Sequence, residues 1–286
     1  MTMTSPTSTY VLGSTDAEHE RLIRQAAILD PFTARFFRDA GIGPGQRVLD
    51  IGSGLGDVTM LAARLVGPSG AVVGVDRDAN IIVKAKARAA NAGLNNVTFL
   101  QSDIGEIESG KPFDAVVGRF ILEFVPDPRA VVRSLSELLR PGGVLAVQDA
   151  CWAPFLQLTS HLPLRAKCAS LIYQAFQGSG ANMNMELTLY RTFQEVGLPP
   201  PHMRVEVPIG DDPDFARWIY DILCSVRPHM RQQGLSCEAV GDFETLLQRL
   251  QAEAAAAKTF GACSCLVGAW SRRPGVLRGP NRLEVR

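Results

Sequence analysis

Val48-Leu49-Asp50-Ile51-Gly52-Ser53-Gly54-Leu55-Gly56 is the stretch on which the fold turns. Arg47 to Ile51 reads as a short apolar strand, the glycines as a tight bend, and Asp57 to Val66 as a helix with Val58, Leu61, Ala62 and Leu65 on one face. Glycine at such a bend lets the main chain approach a ligand closely, and the helix N-terminus behind it offers N–H groups without partners. The spacing is G-x-G-x-G. The dinucleotide-binding bend, G-x-G-x-x-G, would need its third glycine where Asp57 stands. A carboxylate at Asp50 would crowd a pyrophosphate, but it suits a ligand bearing an ammonium group.

Downstream, strands and helices alternate. Ala71 to Val75 is expected as the second strand, Ala79 to Ala92 as an Ala-rich helix, and Val97 to Gln101 and Phe113 to Gly118 as strands three and four. A helix over Pro128 to Leu139 buries Val131, Val132, Leu135 and Leu138, ends at Pro141-Gly142-Gly143, and leads into a fifth strand, Val144 to Gln148. Near-continuous apolar strands alternating with helices predict a doubly wound α/β fold, its mostly parallel sheet covered on both faces. After Asp149 the rhythm is lost: helical pieces surround Pro154, Pro163 and a Gly178-Ser179-Gly180 hinge, with a helix near Glu186 to Val196. A strand from Met203 to Pro208, a helical stretch from Asp212 to Lys258 and a final strand from Ser264 to Ser271 bring the sheet to seven strands.

Upstream, Asp16 to Asp39 has helical periodicity through Leu22, Ile23, Ala26, Ala27 and Leu29, and Asp30-Pro31 is expected to break or kink it. The chain therefore divides into an N-terminal arm and helical lid (1–39), a cofactor-binding α/β core (40–150), the rest of the sheet with helical lid insertions (151–274) and a tail (275–286).

In open α/β sheets, ligands bind at the carboxyl ends of the strands, and acidic residues recur at that rim. Asp76 ends the second strand in Val72-Val73-Gly74-Val75-Asp76-Arg77, where a carboxylate can accept both ribose hydroxyls of an adenosine. Asp103 follows the third strand in Phe99-Leu100-Gln101-Ser102-Asp103-Ile104 and can accept from an adenine amino group. Singly, each is as readily a helix N-cap. Together, and in this order, they describe an adenosine site.

These motifs resemble those of the class I S-adenosylmethionine-dependent methyltransferases over roughly residues 40–150. VLDIGSGLG is similar to that family's glycine motif, VVGVDRD to its ribose motif, FLQSDI to its adenine motif, FDAVVGRF to its fourth strand and LLRPGGVLAV to its fifth. FVPDP and LRPGG resemble the subgroup containing ubiquinone and menaquinone biosynthesis enzymes and natural-product methyltransferases. The resemblance implies that S-adenosylmethionine is bound and S-adenosylhomocysteine released. It implies that Gly52, Ser53 and Gly54 pass the methionine portion, with Asp50 steadying the turn and the ammonium. Asp76 would hold the ribose, with Arg77 beside the adenine, while Asp103 would take the adenine amino group and Ile104 offer its N–H. Arg119 stands where family members contact the methionine portion by main chain, and Tyr10 would close over the cofactor.

A sulfonium methyl is already activated, so alignment of a nucleophile in a dry pocket can lower much of the barrier, up to about 7–11 kcal/mol in the best intramolecular cases. A base would add to this, and His161, which follows the fifth strand, is the candidate. Trp152, Phe155, Tyr173, Phe176, Met183 and Met185 are candidates to line an apolar acceptor pocket.

Bulk properties narrow the partners. Lys plus Arg equal Asp plus Glu, 29 each, so no excess of cations is present to face phosphates, and a nucleic-acid partner is not expected. No apolar run reaches the about 20 residues of a membrane span. The Thr/Ser-rich start lacks the features of a secretory signal, which makes the cytoplasm the expected compartment. The scatter of the six cysteines predicts reduced thiols and no metal site. A helical N-terminal arm serves dimers and lids alike, so a homodimer stays among the expectations. Four rivals remain: a protein or RNA methyltransferase, disfavoured by Gly118-Arg119-Phe120-Ile121 where an N-P-P-Y motif would stand; an NAD-dependent oxidoreductase, disfavoured by the glycine spacing; a family member that binds cofactor without transferring methyl; and an arsenite methyltransferase, which would need Cys151, Cys168, Cys263 and Cys265 to converge.

Overall fold

A computed structural model describes residues 15–107, 110–211 and 213–275. In chain order the elements are α1 (Asp16–Asp39), β1 (Arg47–Ile51), α2 (Asp57–Val66), β2 (Ala71–Asp76), α3 (Ala79–Asn91), β3 (Val97–Gln101), β4 (Phe113–Arg119), α4 (Pro128–Glu137), β5 (Leu139–Cys151), α5 (Trp152–Leu158), α6 (Pro163–Gly178), α7 (Leu189–Glu195), β6 (His202–Glu206), β7 (Ile209–Gly210), α8 (Asp214–Gln232), α9 (Leu246–Ala257), β8 (Gly261–Ala262) and β9 (Cys265–Arg272).

Seven strands form one sheet in the order β3-β2-β1-β4-β5-β9-β6, and β7 pairs with β8 apart from it. β3, β2, β1, β4 and β5 run parallel, while β9 lies antiparallel between β5 and β6. The order reverses between β1 and β4, which opens a crevice at their carboxyl ends.

Alternate strand residues serve opposite faces. Val48, Ala115, Val117, Val144 and Ala146 pack with Phe36 and Phe37 of α1 and with Val58, Ala62 and Val66 of α2. Leu49, Ile51, Val116, Leu145 and Val147 pack on the other side with Val132 and Leu135 of α4, in a core that extends through α6 and α8. Strands buried on both faces must be apolar at nearly every position, which is why they stood out in the sequence.

Four local expectations need correction. Pro31 does not break α1, which runs unbroken from Asp16 to Asp39. The proline is on the exposed side of the helix, while Leu29, Thr33, Ala34, Phe36 and Phe37 are buried on both sides of it, so tertiary packing outweighs one lost helical hydrogen bond. On the same helix, Ala26 and Leu29 are buried but Ile23 and Ala27 are exposed. Pro141-Gly142-Gly143 does not precede the fifth strand but lies inside it, where pairing with β4 slips and a side chain on Gly143 would strike the carbonyls of Phe113, Asp114 and Arg140. Gly178-Ser179-Gly180 is the C-terminal cap of α6, with Ser179 N–H bonded to the Ala175 and Phe176 carbonyls and Gly180 left-handed.

Candidate active site

The bend after β1 is left-handed at all three glycines, Gly52, Gly54 and Gly56, with φ of 59°, 50° and 84°. It is held from below and from both sides. The Ser53 N–H bonds the Val75 carbonyl, the Gly54 N–H bonds Asp76 Oδ2 at 2.9 Å, and Arg88 of α3 bonds the Leu55 carbonyl and Asp57 Oδ1. Asp50 lies under the bend, 1% exposed, and accepts from Thr59 Oγ1 at 2.6 Å. Burial pushes its pKa up to about 7, against the opposing pull of the Thr59 hydroxyl.

At Gly54 the bend faces open space. A Cβ on Gly54 would meet no atom within 4 Å, the N-terminus of α2 has no side-chain cap, and the buried Ser53 hydroxyl has no hydrogen-bond partner among the described residues. Gly52 is different, because a Cβ there would collide with Cδ1 of Ile121 in the loop after β4. The bend and that loop therefore touch across the crevice.

Asp76 ends β2, half-buried, and its second oxygen accepts from the Asp78 N–H at 3.0 Å. Arg77 is exposed beside it, and its carbonyl accepts from Gln101 of β3. Asp103 is exposed and opens the 3-10 turn Ile104–Glu106 without capping it by side chain, whereas Ile104 packs against the main core. Gly52, Ser53, Gly54, Asp50, Asp76, Arg77, Asp103 and Ile104 thus follow one another along the carboxyl ends of β1, β2 and β3. Arg119 sits at the end of β4, where its side chain binds α1 through Asp30 Oδ1 at 3.1 Å and Thr33 Oγ1 at 2.9 Å. Thr33 in turn donates to Gln148 of β5. Burial raises the pKa of Asp30, and Arg119 opposes it.

His161 is not gathered into this set. It is exposed between α5 and α6, with Nε2 3.4 Å from the Thr259 hydroxyl. Trp152, Phe155, Phe176, Met183 and Met185 are buried, and Tyr173 is half-buried. Trp152 stacks on Trp218 and meets Phe155 edge-on at 5.4 Å, so these side chains pack as core between β5, α5, α6 and α8. Cys151 stands opposite Cys265 across the β5–β9 pairing, whereas Cys168 and Cys263 both feel Arg165. Tyr10 lies outside the described residues.

Sequence reasoning missed Thr59 under Asp50, the Asp30–Arg119–Thr33–Gln148 chain, and a buried carboxyl pair, Glu123 and Asp149, at the ends of β4 and β5. Burial pushes the pKa of Asp149 up to about 7 despite bonds from the Glu123, Ile121 and Leu122 N–H groups. Burial and the neighbouring Asp149 charge raise that of Glu123 well above the ordinary carboxylate range.

A seven-stranded, mostly parallel sheet with β9 reversed, and a glycine bend facing acidic strand ends, defines the class I methyltransferase fold. The chain belongs to the methyltransferase-domain family, whose model matches residues 42–196. Over 118 residues (41% of this chain, 30% of the other) it is 36% identical to the arsenite methyltransferase of Halobacterium salinarum. Over 112 residues (38% of this chain, 44% of the other) it is 38% identical to the ubiquinone/menaquinone biosynthesis C-methyltransferase UbiE of Pseudomonas paraeruginosa. The chain spans less than half the length of these curated relatives. Among solved structures, the [4+2]-cyclase SpnF aligns with a TM-score of 0.54 at 16% identity, covering 86% of this chain and 82% of that one. A SAM-dependent methyltransferase from Aquifex aeolicus aligns at 0.50 and 15%, covering 91% and 99%. At such identities these two support the fold alone. Among the described residues, no helix is long and apolar enough to cross a membrane.

Proposed function

We propose that this protein transfers a methyl group from S-adenosylmethionine to a small, apolar or aromatic acceptor. The observation that carries the reading is the open space at Gly54 in the bend, next to the buried Ser53 hydroxyl that has no partner among the described residues, with Asp76 at the next strand end. This donor set fits an amino-acid tail joined to a ribose. Gly52, Ser53 and Gly54 would hold the methionine portion, Asp76 the ribose, and Asp103 with Ile104 and Arg77 the adenine. Asp50, bonded to Thr59, keeps the bend in shape from beneath.

When bound, the cofactor supplies an electrophilic methyl group on a positively charged sulfur. The chain's own contribution is to seat it, to exclude water and to bring the acceptor into line. Arg119 fastens α1 over the rim through Asp30 and Thr33, which closes one side of the crevice. The UbiE likeness supports a planar apolar acceptor, though it spans only 38% of this chain. The apolar, half-buried side chains of the β4 loop support the same reading. Burial pushes the thiols of Cys151, Cys168, Cys263 and Cys265 up, which disfavours the thiolates that arsenite would need and speaks against it as acceptor. We place this activity in the cytoplasm, where the free cysteines would stay reduced.

Calorimetric titration with S-adenosylhomocysteine, followed by transfer of labelled methyl from S-adenosylmethionine to phenols, quinols and arsenite, tests the reading. Saturable binding and a labelled phenol or quinol are expected. Binding without any labelled product would leave a cofactor-binding member without transfer, and no binding would remove the reading altogether.

A further inference from the structure

Among the described residues, two that are not glycine have a left-handed backbone, Phe120 and Lys258. Lys258 is exposed and caps the C-terminus of α9, where that conformation is routine. Phe120 has no such reason. It is an aromatic residue at φ 60°, directly after β4, and bulky side chains pay for that conformation.

Strain of this kind persists only where the surroundings over-determine it. Here they do. The Phe120 N–H is taken by the Gln148 carbonyl at 2.8 Å, and the next N–H, of Ile121, by Asp149 Oδ1 at 3.0 Å. The Gln148 side chain is itself held by Thr33 of α1. On one side of Phe120, Arg119 reaches α1, and on the other, Ile121 presses on Gly52. Phe120 is thereby pinned at the seam between the glycine bend and the helix that covers it. Its ring is half-buried, as are Ile28 and Phe32 of α1 and Ile121 and Phe124 of the same loop, and all five pack against the main core without being sealed by it.

We propose that Phe120 is a specificity residue whose ring forms one wall of the seat for a planar apolar acceptor. The inference rests on the cofactor reading above and deepens it. A ring fixed by a strained but fully bonded backbone is pre-oriented, so an aromatic acceptor gains contact without ordering a flexible side chain. The acceptor would lie between the bend and α1, with Phe32 and Ile28 opposite.

The test uses the full chain saturated with S-adenosylhomocysteine, and 2-naphthol as fluorescent probe. Wild type and Phe120→Tyr are expected to bind 2-naphthol alike, and Phe120→Leu and Phe120→Ala about fivefold more weakly, the scale of a lost aromatic contact. Affinity for S-adenosylhomocysteine should stay within about twofold across the series, a difference too small to count as a lost hydrogen bond. Phe120→Gly, which relieves the strain, should melt higher than Phe120→Ala yet bind 2-naphthol no better, a split that a purely structural role would not produce. Should Phe120→Ala fail to fold, the Leu and Tyr variants carry the comparison. Equal 2-naphthol affinity in the Leu variant, or no binding to the loaded wild type, overturns the proposal. Failure of wild type to bind S-adenosylhomocysteine instead overturns the cofactor reading on which it stands.

Discussion

Asp149 and Glu123 each hold the chain segment that carries the other. The Asp149 carboxylate accepts from the N–H groups of Ile121 and Glu123 at 3.0 and 3.3 Å, and the Glu123 carboxylate accepts from the N–H of Ala150, next to Asp149, at 3.0 Å. This reciprocal clasp joins the loop after β4 to the end of β5 and fixes the wall of the crevice facing the glycine bend. Both carboxyls have raised pKa values, so the folded state binds protons more tightly than the unfolded chain does. Their contribution to stability is complete below about pH 4 and declines as pH rises through about 7. Wild-type Tm should therefore fall between pH 5 and 8, and Glu123→Gln, which keeps the acceptor for Ala150 without the charge, should flatten that fall. An unchanged Tm–pH slope in this variant would show that the pair does not titrate in this range.

Asp50 has the same sign through a different contact. Its pKa of about 7 means stability present at low pH and lost between about pH 4 and 7. Thr59→Val removes the hydroxyl that bonds the carboxylate and is expected to cost about 1–3 kcal/mol in urea unfolding, more at pH 8 than at pH 5 because the ionised form loses more.

Asp76 braces the bend through Gly54 and would also meet the ribose. Asp76→Ala should weaken S-adenosylhomocysteine binding at least about tenfold, the scale of a hydrogen bond to a charged group. Calorimetry that finds the affinity unchanged would remove the ribose assignment.

Gly52 and Gly54 are adjacent in kind but opposed in surroundings. Gly54→Ala meets nothing, so it should cost only the left-handed backbone preference, about 1–2 kcal/mol, while its methyl group intrudes on the ligand side and lowers cofactor affinity. Gly52→Ala collides with Ile121 and should lose stability first. Thermal melts beside calorimetric titrations of both variants separate the two effects.

What could be read in advance follows physical pattern. β1, β2, β4 and β5 are legible because strands buried on both faces, such as Val72 to Val75 or Ala115 to Val117, are apolar almost without interruption, whereas β3, at the sheet edge, is exposed at Thr98, Leu100 and Gln101. Asp76 and Asp103 are legible because a parallel sheet sends every strand's carboxyl end to one rim. The Glu123–Asp149 clasp joins residues 26 apart with no shared motif, and nothing in the sequence brings them together. Pro31 misleads because the local rule for proline carries no information about the buried residues flanking it. His161 follows β5 in the chain, but the turn after α5 carries it to Thr259, a neighbour far along the sequence that no local pattern announces. The aromatic residues of 152–176 are legible as apolar, but whether they line a cavity or fill one depends on Trp218, far along the chain.

α1 is fastened at three stations. Its first turns are tied to α8 through Arg24 to Asp221 and Glu18 to Ser225 and to α3 through Asp16 and His19 to Lys84, its middle to the sheet rim through Asp30 and Thr33, and its last turns to the outer strand β6 through Arg35 to Glu206 and Asp39 to Arg204. Pro31 omits one rung of the helical ladder beside the middle station, so the rod is weakest in bending just where it crosses the rim. Pulling the first turns away from α8 and from Lys84 of α3 would flex the helix there and leave the outer clamp intact, so a ligand would enter without the edge of the sheet coming apart.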